Sequence, residues 1–293
     1  MAKKNTFITE RYKPFVQEIE AASGNAHRLT DTFFDTVRMM ALSIQKPLML
    51  DGGDKLEEEW QSIRDRYDDA AYAHQQRAFS LLMCALDFDR TEFLGHIMER
   101  VFNATNQHNG QFLTPVNIAT LMGDILVEAP KDKIIRLNDP CCGAGVLVIE
   151  GAERFLKHGW EQRNIFVDAG DIDGHACDMC YVQLSLLGYA GVVRHQNAMS
   201  REYYGTTPIR YTPGFYMHAF PMRLGMGLGA QNDSHDKACG GASEVECPDG
   251  HVEGPSVGQG DTETANGHAP SGPEGAPISS ADGKPVQLEL ELN

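Results

Sequence analysis

Up to about Asn109 the apolar positions recur with a helical period. In DTFFDTVRMMALSI, residues Phe33, Phe34, Val37, Met40, Ala41 and Ile44 fall on one helical face. GDKLEEEWQSIRDRY follows a Gly-Gly turn and predicts a second helix. DDAAYAHQQRAFSLLMCALDF opens on acids, which suit the positive end of a helix dipole. TEFLGHIMERVF repeats Leu94, Ile97, Met98 and Val101 behind Thr91, which the pattern offers as the N-cap. From about 110 to 230 the period changes. KIIRLND, NIFVDAGDID and GVVRHQNA are short apolar runs that read as strands. VLVIEGAERFLKHG and HACDMCYVQLSLLG lie between them and read as helices. Strand and helix in alternation predict an α/β fold with parallel strands joined by crossover helices.

Composition changes the picture after that point. Phe220 is the last aromatic residue, and Gly, Pro, Ser and acids dominate from Gln231 onward. Such a segment buries too little apolar surface to offset the entropy of ordering, so a disordered tail is expected over 231–293. The chain thus divides into a helical region 1–109, an α/β domain 110–230 and this tail. The net charge of −16 sits largely in the last part, where residues 231–293 hold 12 Asp/Glu against 2 Lys. The remainder is only mildly acidic, which leaves room for a local basic patch against nucleic acid.

No apolar stretch follows the basic start MAKKNTFITERYKPF, and TPGFYMHAFPMRLGMGLGA is broken by His218, Arg223 and two prolines. Neither an export signal nor a membrane span is expected. The 7 cysteines have no disulfide rhythm, so reduced thiols in the cytoplasm are the expectation. Cys177 and Cys180 have metal-ligand spacing, but no second pair matches them, and two core thiols are the simpler reading.

The candidate chemistry is at NDPCCGAGVL. IIRLND delivers Asp139 to the carboxyl end of a strand, where open parallel sheets bind ligands. Gly143 and Gly145 let the backbone turn sharply and approach a ligand. No Lys-Ser/Thr follows, which excludes a Walker phosphate loop. The next strand ends in GDID, placing Asp171 and Asp173 at the same edge, where an acid can accept ribose hydroxyls. HQNA ends a third strand and brings Asn197 to the rim. Upstream, Thr114 and Pro115 in GQFLTP form a cap and first-turn pair for the helix VNIATLMGDIL.

NGQFLTPVNIATLMGDIL, LNDPCCGAGVLVIEG, GDIDGHACDMCYVQLSLLG and RHQNAMS resemble successive motifs of N6-adenine DNA methyltransferases. The nearest type is the modification subunit of type I restriction-modification systems and its phage and mobile-element cousins. The resemblance covers about residues 75 to 205. It implies a Rossmann-like methyltransferase domain that binds S-adenosylmethionine and acts on DNA. Phe112, Thr114 and Pro115 would line the methionine end. Asp139, Cys141, Gly143 and Gly145 would form the loop under the cofactor. Asp171 would bind the ribose, Ile172 would pack on the adenine, and Asn197 would stand where the family commonly has an acid near the adenine amino group.

The family's catalytic Asn-Pro-Pro-Tyr/Phe does not occur in this sequence, and YTPGFY has no Asn or Asp before its proline. No catalytic residue is therefore assigned. Between Ala198 and Ala230 there is room for one or two further strands of ~5–6 residues each. The sheet is then truncated, or a specificity or partner subunit completes it. Two readings follow: an adenine-N6 DNA methyltransferase that needs a partner, or a degenerate member that serves as a cofactor-binding, DNA-binding or interaction module. Arg194, His195, Arg201 and Arg210 are either a phosphate-contacting patch or ordinary surface charges. The closing QLELEL resembles the hexapeptide that binds bacterial sliding clamps, through Gln287, Leu288, Leu290 and Leu292. Its alternatives are a loose apolar end or a strand added to its own domain.

Overall fold

The computed structural model describes residues 2–50, 53–100, 114, 116–127, 134–218, 220 and 287–289. Five helices come first among them: α1 (Ala2–Ser23), α2 (Leu29–Gln45), α3 (Gly53–Arg64), α4 (Asp69–Phe88) and α5 (Leu94–Arg100). Then follow α6 (Val116–Leu126), β1 (Ile135–Asp139), α7 (Val146–Lys157), β2 (Ile165–Asp171), α8 (Gly174–Leu186) and β3 (Ala190–His195). The remaining elements are β4 (Ile209–Tyr211), α9 (Pro213–Met217) and β5 (Gln287–Glu289).

The first helices form where the apolar period places them. Phe33, Val37, Met40 and Ala41 of α2 enter the core, as the spacing predicts. Asp68 caps α4 by accepting from the Ala71 amide at 2.7 Å. The start of α5 differs from the sequence expectation. The cap is Glu92, whose carboxylate accepts from the Gly95 amide at 2.6 Å and the His96 amide at 3.2 Å. A carboxylate is the stronger acceptor for first-turn amides. Thr91 is turned away and donates to Glu150 instead.

The three apolar runs are three parallel strands. β1 pairs with β2 from Ile135↔Ile165 to Asp139↔Ala169, and β2 pairs with β3 from Phe166↔Ala190 to Asp171↔His195. Flanked on both sides, β2 is buried along nearly its whole length, which explains its continuous apolar character. β4 adds antiparallel to β3, and β5 adds parallel to the outer edge of β1. One face of the sheet, with Ile135, Leu137, Val167, Ala169 and Val193, joins α7 and α8 in a core that continues into Phe15, Phe33 and Leu82 of the N-terminal helices. α8 lies between the sheet and α2 and is buried from Ala176 to Ser185. It therefore lacks a polar face, as a helix covered on both sides must. The opposite sheet face is covered by a smaller cluster of Phe166, Ala190, Val192, Phe215 and Phe220.

Phe215 of YTPGFY is thus a core residue of that second face, with Tyr211 and Tyr216 half-buried against it. Thr212, fully buried, donates to Tyr189 O at 2.6 Å and accepts from the Gly191 amide at 2.9 Å. Four cationic candidates from the sequence do not form one patch. Arg210 is buried and paired with Asp178 of α8, while Arg194 pairs with Asp168 on the second face. His195 places a ring nitrogen 3.1 Å from Ile172 O, and Arg201 sits on an exposed turn with φ 60°.

Asp178 ties three elements together. It takes Arg210 from β4 and Arg38 from α2 at 2.9 Å, and Arg38 also forks onto Glu59 at 2.8 and 2.9 Å. Removing the shared carboxylate leaves two cations at a buried position without it. Asp178→Ala is expected to lower stability by about 3–5 kcal/mol, read as a drop in the urea midpoint.

Candidate functional site

The carboxyl ends of β1 and β2 carry the glycine turn. Asp139 closes β1, and the loop from Pro140 to Gly145 enters α7 directly. Backbone bonds stitch the loop to β2. The Cys142 amide donates to Gly170 O at 2.8 Å, and the Gly143 amide donates to Asp171 Oδ2 at 2.8 Å. Gly143 and Gly145 adopt φ of 53° and 97°, the left-handed region that favours glycine. A Cβ on Gly145 would also lie 2.9 Å from the Cys180 sulfur. The sequence made both glycines candidates, and here both are needed for the turn itself.

Asp139 and Asp171 come to one edge. Asp171 accepts from the Asp173 amide through Oδ1 at 2.9 Å and from Gly143 through Oδ2. Asp139 is only 2 % exposed. Its Oδ1 accepts from the Cys141 amide at 3.1 Å, whereas its Oδ2 is buried with no hydrogen-bond partner among the described residues. Burial pushes the Asp139 carboxyl up to about 6, with the nearby Asp171 charge adding to the rise. Burial raises Asp171 as well, against the backbone amides that favour its ionised form. A buried carboxylate oxygen without a donor is costly unless something pairs with it. Beside the pair, Ile172 is 57 % exposed, so its apolar face is open to a flat ring.

The other candidates are placed as follows. Cys141 is exposed on the loop, and burial, then Asp171 and Asp139, push its thiol up. Asn197 lies beyond β3, where its side-chain oxygen accepts from the Met199 and Ser200 amides at 2.9 and 3.2 Å. Any ligand contact by Asn197 therefore falls to its NH2 group. Thr114 is half-buried just ahead of α6, while Phe112 and Pro115 lie outside the described residues. Cys142, Cys177 and Cys180 are buried beneath the loop as free thiols. A hydrogen bond with Cys180, then burial, holds Cys142 protonated. Among the described residues no group of His, Cys, Asp and Glu is arranged to hold a metal ion.

Two residues that the sequence did not single out hold the loop in place. Gln183 of α8 donates to Ala144 O at 3.0 Å and to Glu92 at 3.0 Å, and accepts from the Phe93 and Leu94 amides at 2.6 and 3.1 Å. The absence of a side chain at Gly95 lets α5 press against Ala144, since a Cβ there would meet the Ala144 Cβ at 2.7 Å. The sequence signal was an amide in a mostly apolar helix. A cavity of about 520 Å³ opens next to Ile172, lined among others by Arg38, His175, His195 and Arg210. It does not include Asp139 or Asp171, and both of those arginines already have carboxylate partners.

With this geometry in place, residues 90–208 match the family described as N-6 DNA methylase. This segment is similar to that family. No curated protein and no solved structure matches the chain. The matched segment begins just before α5 and ends just before β4. It thus contains the glycine loop, Asp139, Asp171 and Asn197, together with the loop supports Glu92 and Gln183, and leaves α1–α4 outside it. No helix among the described residues is long and apolar enough to cross a membrane.

Proposed function

We propose that this chain binds S-adenosylmethionine at the carboxyl edge of β1 and β2, in a Rossmann-like site, and takes part in methylating adenine N6 in DNA. The observation that carries this reading is the buried Oδ2 of Asp139, which has no partner among the described residues, beside Asp171 at the glycine loop. The cofactor is cationic at its sulfonium and ammonium groups and carries two ribose hydroxyls. Asp139 would take a cationic group, and the remaining lone pairs of Asp171 would take hydroxyls. Ile172 would pack on the adenine and Asn197 would donate its NH2. Phe112, Thr114 and Pro115 would flank the methionine end. When bound, the cofactor supplies an electrophilic methyl group. The chain's own task is to hold it, exclude water and keep the loop rigid.

The sequence has no Asn-Pro-Pro-Tyr/Phe. In the proposed reading a partner subunit supplies contacts to the target base and to DNA, as in restriction-modification or mobile-element systems. A sliding clamp is a second proposed partner, through Gln287, Leu288, Leu290 and Leu292. A cytoplasmic location fits both. The missing motif also favours a second reading, a cofactor-binding or DNA-binding module without catalysis.

Calorimetric titration of the wild type and Asp171→Asn with S-adenosylmethionine tests the site. Micromolar binding weakened at least ~10-fold in the variant is the expected result, a loss of about 1.4 kcal/mol. Equal binding by both proteins would remove Asp171 from the site. Methylated plasmid adenines after expression would then rule out the non-catalytic reading.

A further inference from the structure

A separate cavity of about 50 Å³ lies among α2, α3 and α4, in the part of the chain ahead of residues 90–208. At ~10–15 Å³ for each water it has room for about three to five, which as liquid fill ~100–150 Å³, the volume of one aromatic ring. Met39 and Met40 of α2, Trp60 of α3, and Tyr72 and Phe79 of α4 form its apolar walls. Trp60 meets Tyr72 edge to face, with ring centroids 5.9 Å apart. Aromatic rings and thioethers of this kind receive a flat ring well. Trp60, Tyr72 and Phe79 are half-buried, and Ser43 and Gln76 are exposed, so the cavity reaches the surface.

The polar groups of the lining are few and unequal. Gln75 of α4 is 2 % exposed, and neither its Nε2 nor its Oε1 has a partner among the described residues. A buried amide unpaired at both atoms is costly and calls for a complement. Thr36, also buried, donates its hydroxyl proton to Thr32 O at 2.6 Å, so it offers lone pairs only. Inside the rim the lining therefore presents one NH2 donor and two acceptor oxygens. None of the described residues that line it is charged, and Arg64, which lies over the Tyr72 ring at 4.4 Å, is held by Asp69. A charged ligand would find no counter-ion among them.

We propose that this cavity binds a neutral, single-ring aromatic ligand that carries an NH2 donor next to an acceptor. That edge is shared by aromatic carboxamides and by cytosine-like pyrimidines. The ligand's acceptor takes a hydrogen bond from Gln75 Nε2, and its NH2 donates to Gln75 Oε1. Its ring fills the space between the methionines and the three aromatic side chains. None of the described lining residues falls within 90–208, so the ligand is distinct from the methyl donor proposed above.

Titration of the full chain with benzamide and with cytosine, followed by the Trp60 indole N–H signal in nitrogen–proton correlation spectra, tests this without reference to cofactor or DNA. Saturable binding of at least one, with a Kd of ~1 mM or below, is expected. Which of the two binds more tightly separates a carboxamide source from a pyrimidine source. Benzoate is similar in size but charged, and toluene lacks the polar edge. Each should bind at least ~10-fold more weakly. Gln75→Leu keeps the volume and removes the amide. It should weaken the preferred probe at least ~10-fold while toluene binding is kept, which shows the cavity intact. Should that variant not fold, Phe79→Trp, which fills the cavity from its half-buried wall, should abolish binding of the preferred probe. No saturable binding of either probe, equal affinity for benzoate or toluene, or wild-type affinity in folded Gln75→Leu or in Phe79→Trp overturns the proposal.

Discussion

At pH 8, Asp139→Asn is expected to unfold at a higher urea concentration than the wild type while losing affinity for S-adenosylmethionine. The Asp139 Oδ2 is buried without a partner among the described residues, and the carboxyl is raised to about 6. In the unfolded chain an aspartate titrates near ~3.9. Below that value the side chain is neutral in both states and costs nothing. As pH rises through about 6, the folded state must ionise a buried group that the unfolded state ionises freely. Stability is lost over that window, by up to about 3 kcal/mol above it. Asparagine keeps the Oδ1 acceptor for Cys141 and never ionises. Allowing for its own unpaired NH2, a gain of about 1–2 kcal/mol at pH 8 is expected, with little difference at pH 4. A bound cation would restore the ionised form, so wild-type affinity should strengthen from pH 5 to pH 7 and binding should release a proton. The variant should bind at least ~30-fold more weakly, about 2 kcal/mol, and with little pH dependence. Denaturation at two pH values, with calorimetry in buffers of different ionisation enthalpy, checks both halves. A variant less stable at pH 8 that still binds normally would mean that Asp139 is only a turn residue.

The positions of Asp139 and Asp171 were legible because each ends an apolar run, and the end of a parallel strand is where its side chains reach a ligand. The strands and crossover helices were legible for the same reason: KIIRLND, NIFVDAGDID and GVVRHQNA are too apolar to lie anywhere but inside a sheet. Other features depend on tertiary contacts that no local period records. β4 has three residues and α9 five, too few to show a repeat. Glu92 replaced Thr91 as the cap because Glu150, distant in sequence, takes the threonine hydroxyl. Arg210 looked like a surface cation until α8 supplied Asp178. Asn197 was placed at the rim, but its oxygen is used to shape its own loop. Buried polar networks are where sequence patterns carry least information, since their partners come from remote parts of the chain.

Gln183 is the clearest such network, and Gln183→Leu is expected to be among the most destabilising single changes in the chain. The side chain is fully buried and joins Glu92, the Phe93 and Leu94 amides, Ala144 O and Met179 O. Leucine matches its volume and satisfies none of these groups. Two amides and a loop carbonyl would be left buried without that partner, at about 1–3 kcal/mol for each group that water cannot reach. A total loss of about 3–5 kcal/mol is expected, partly relieved by local rearrangement. The pH response separates this from a simple packing defect. Burial raises the Glu92 carboxyl to about 7, and the Gly95 amide, Gln183 and the His96 amide each pull it back. Because its folded value is raised, the wild type loses stability as pH climbs from ~4.3, the value of a free glutamate, through about 7. Without Gln183 the carboxyl rises further, so the loss extends to higher pH. Denaturation of the variant across pH 5 to 9 should show that displaced window. Cofactor affinity should fall as well, because Ala144 O is the point at which α8 holds the glycine loop. A variant that is merely less stable, with an unchanged pH window and normal binding, would show that the loop keeps its shape without this support.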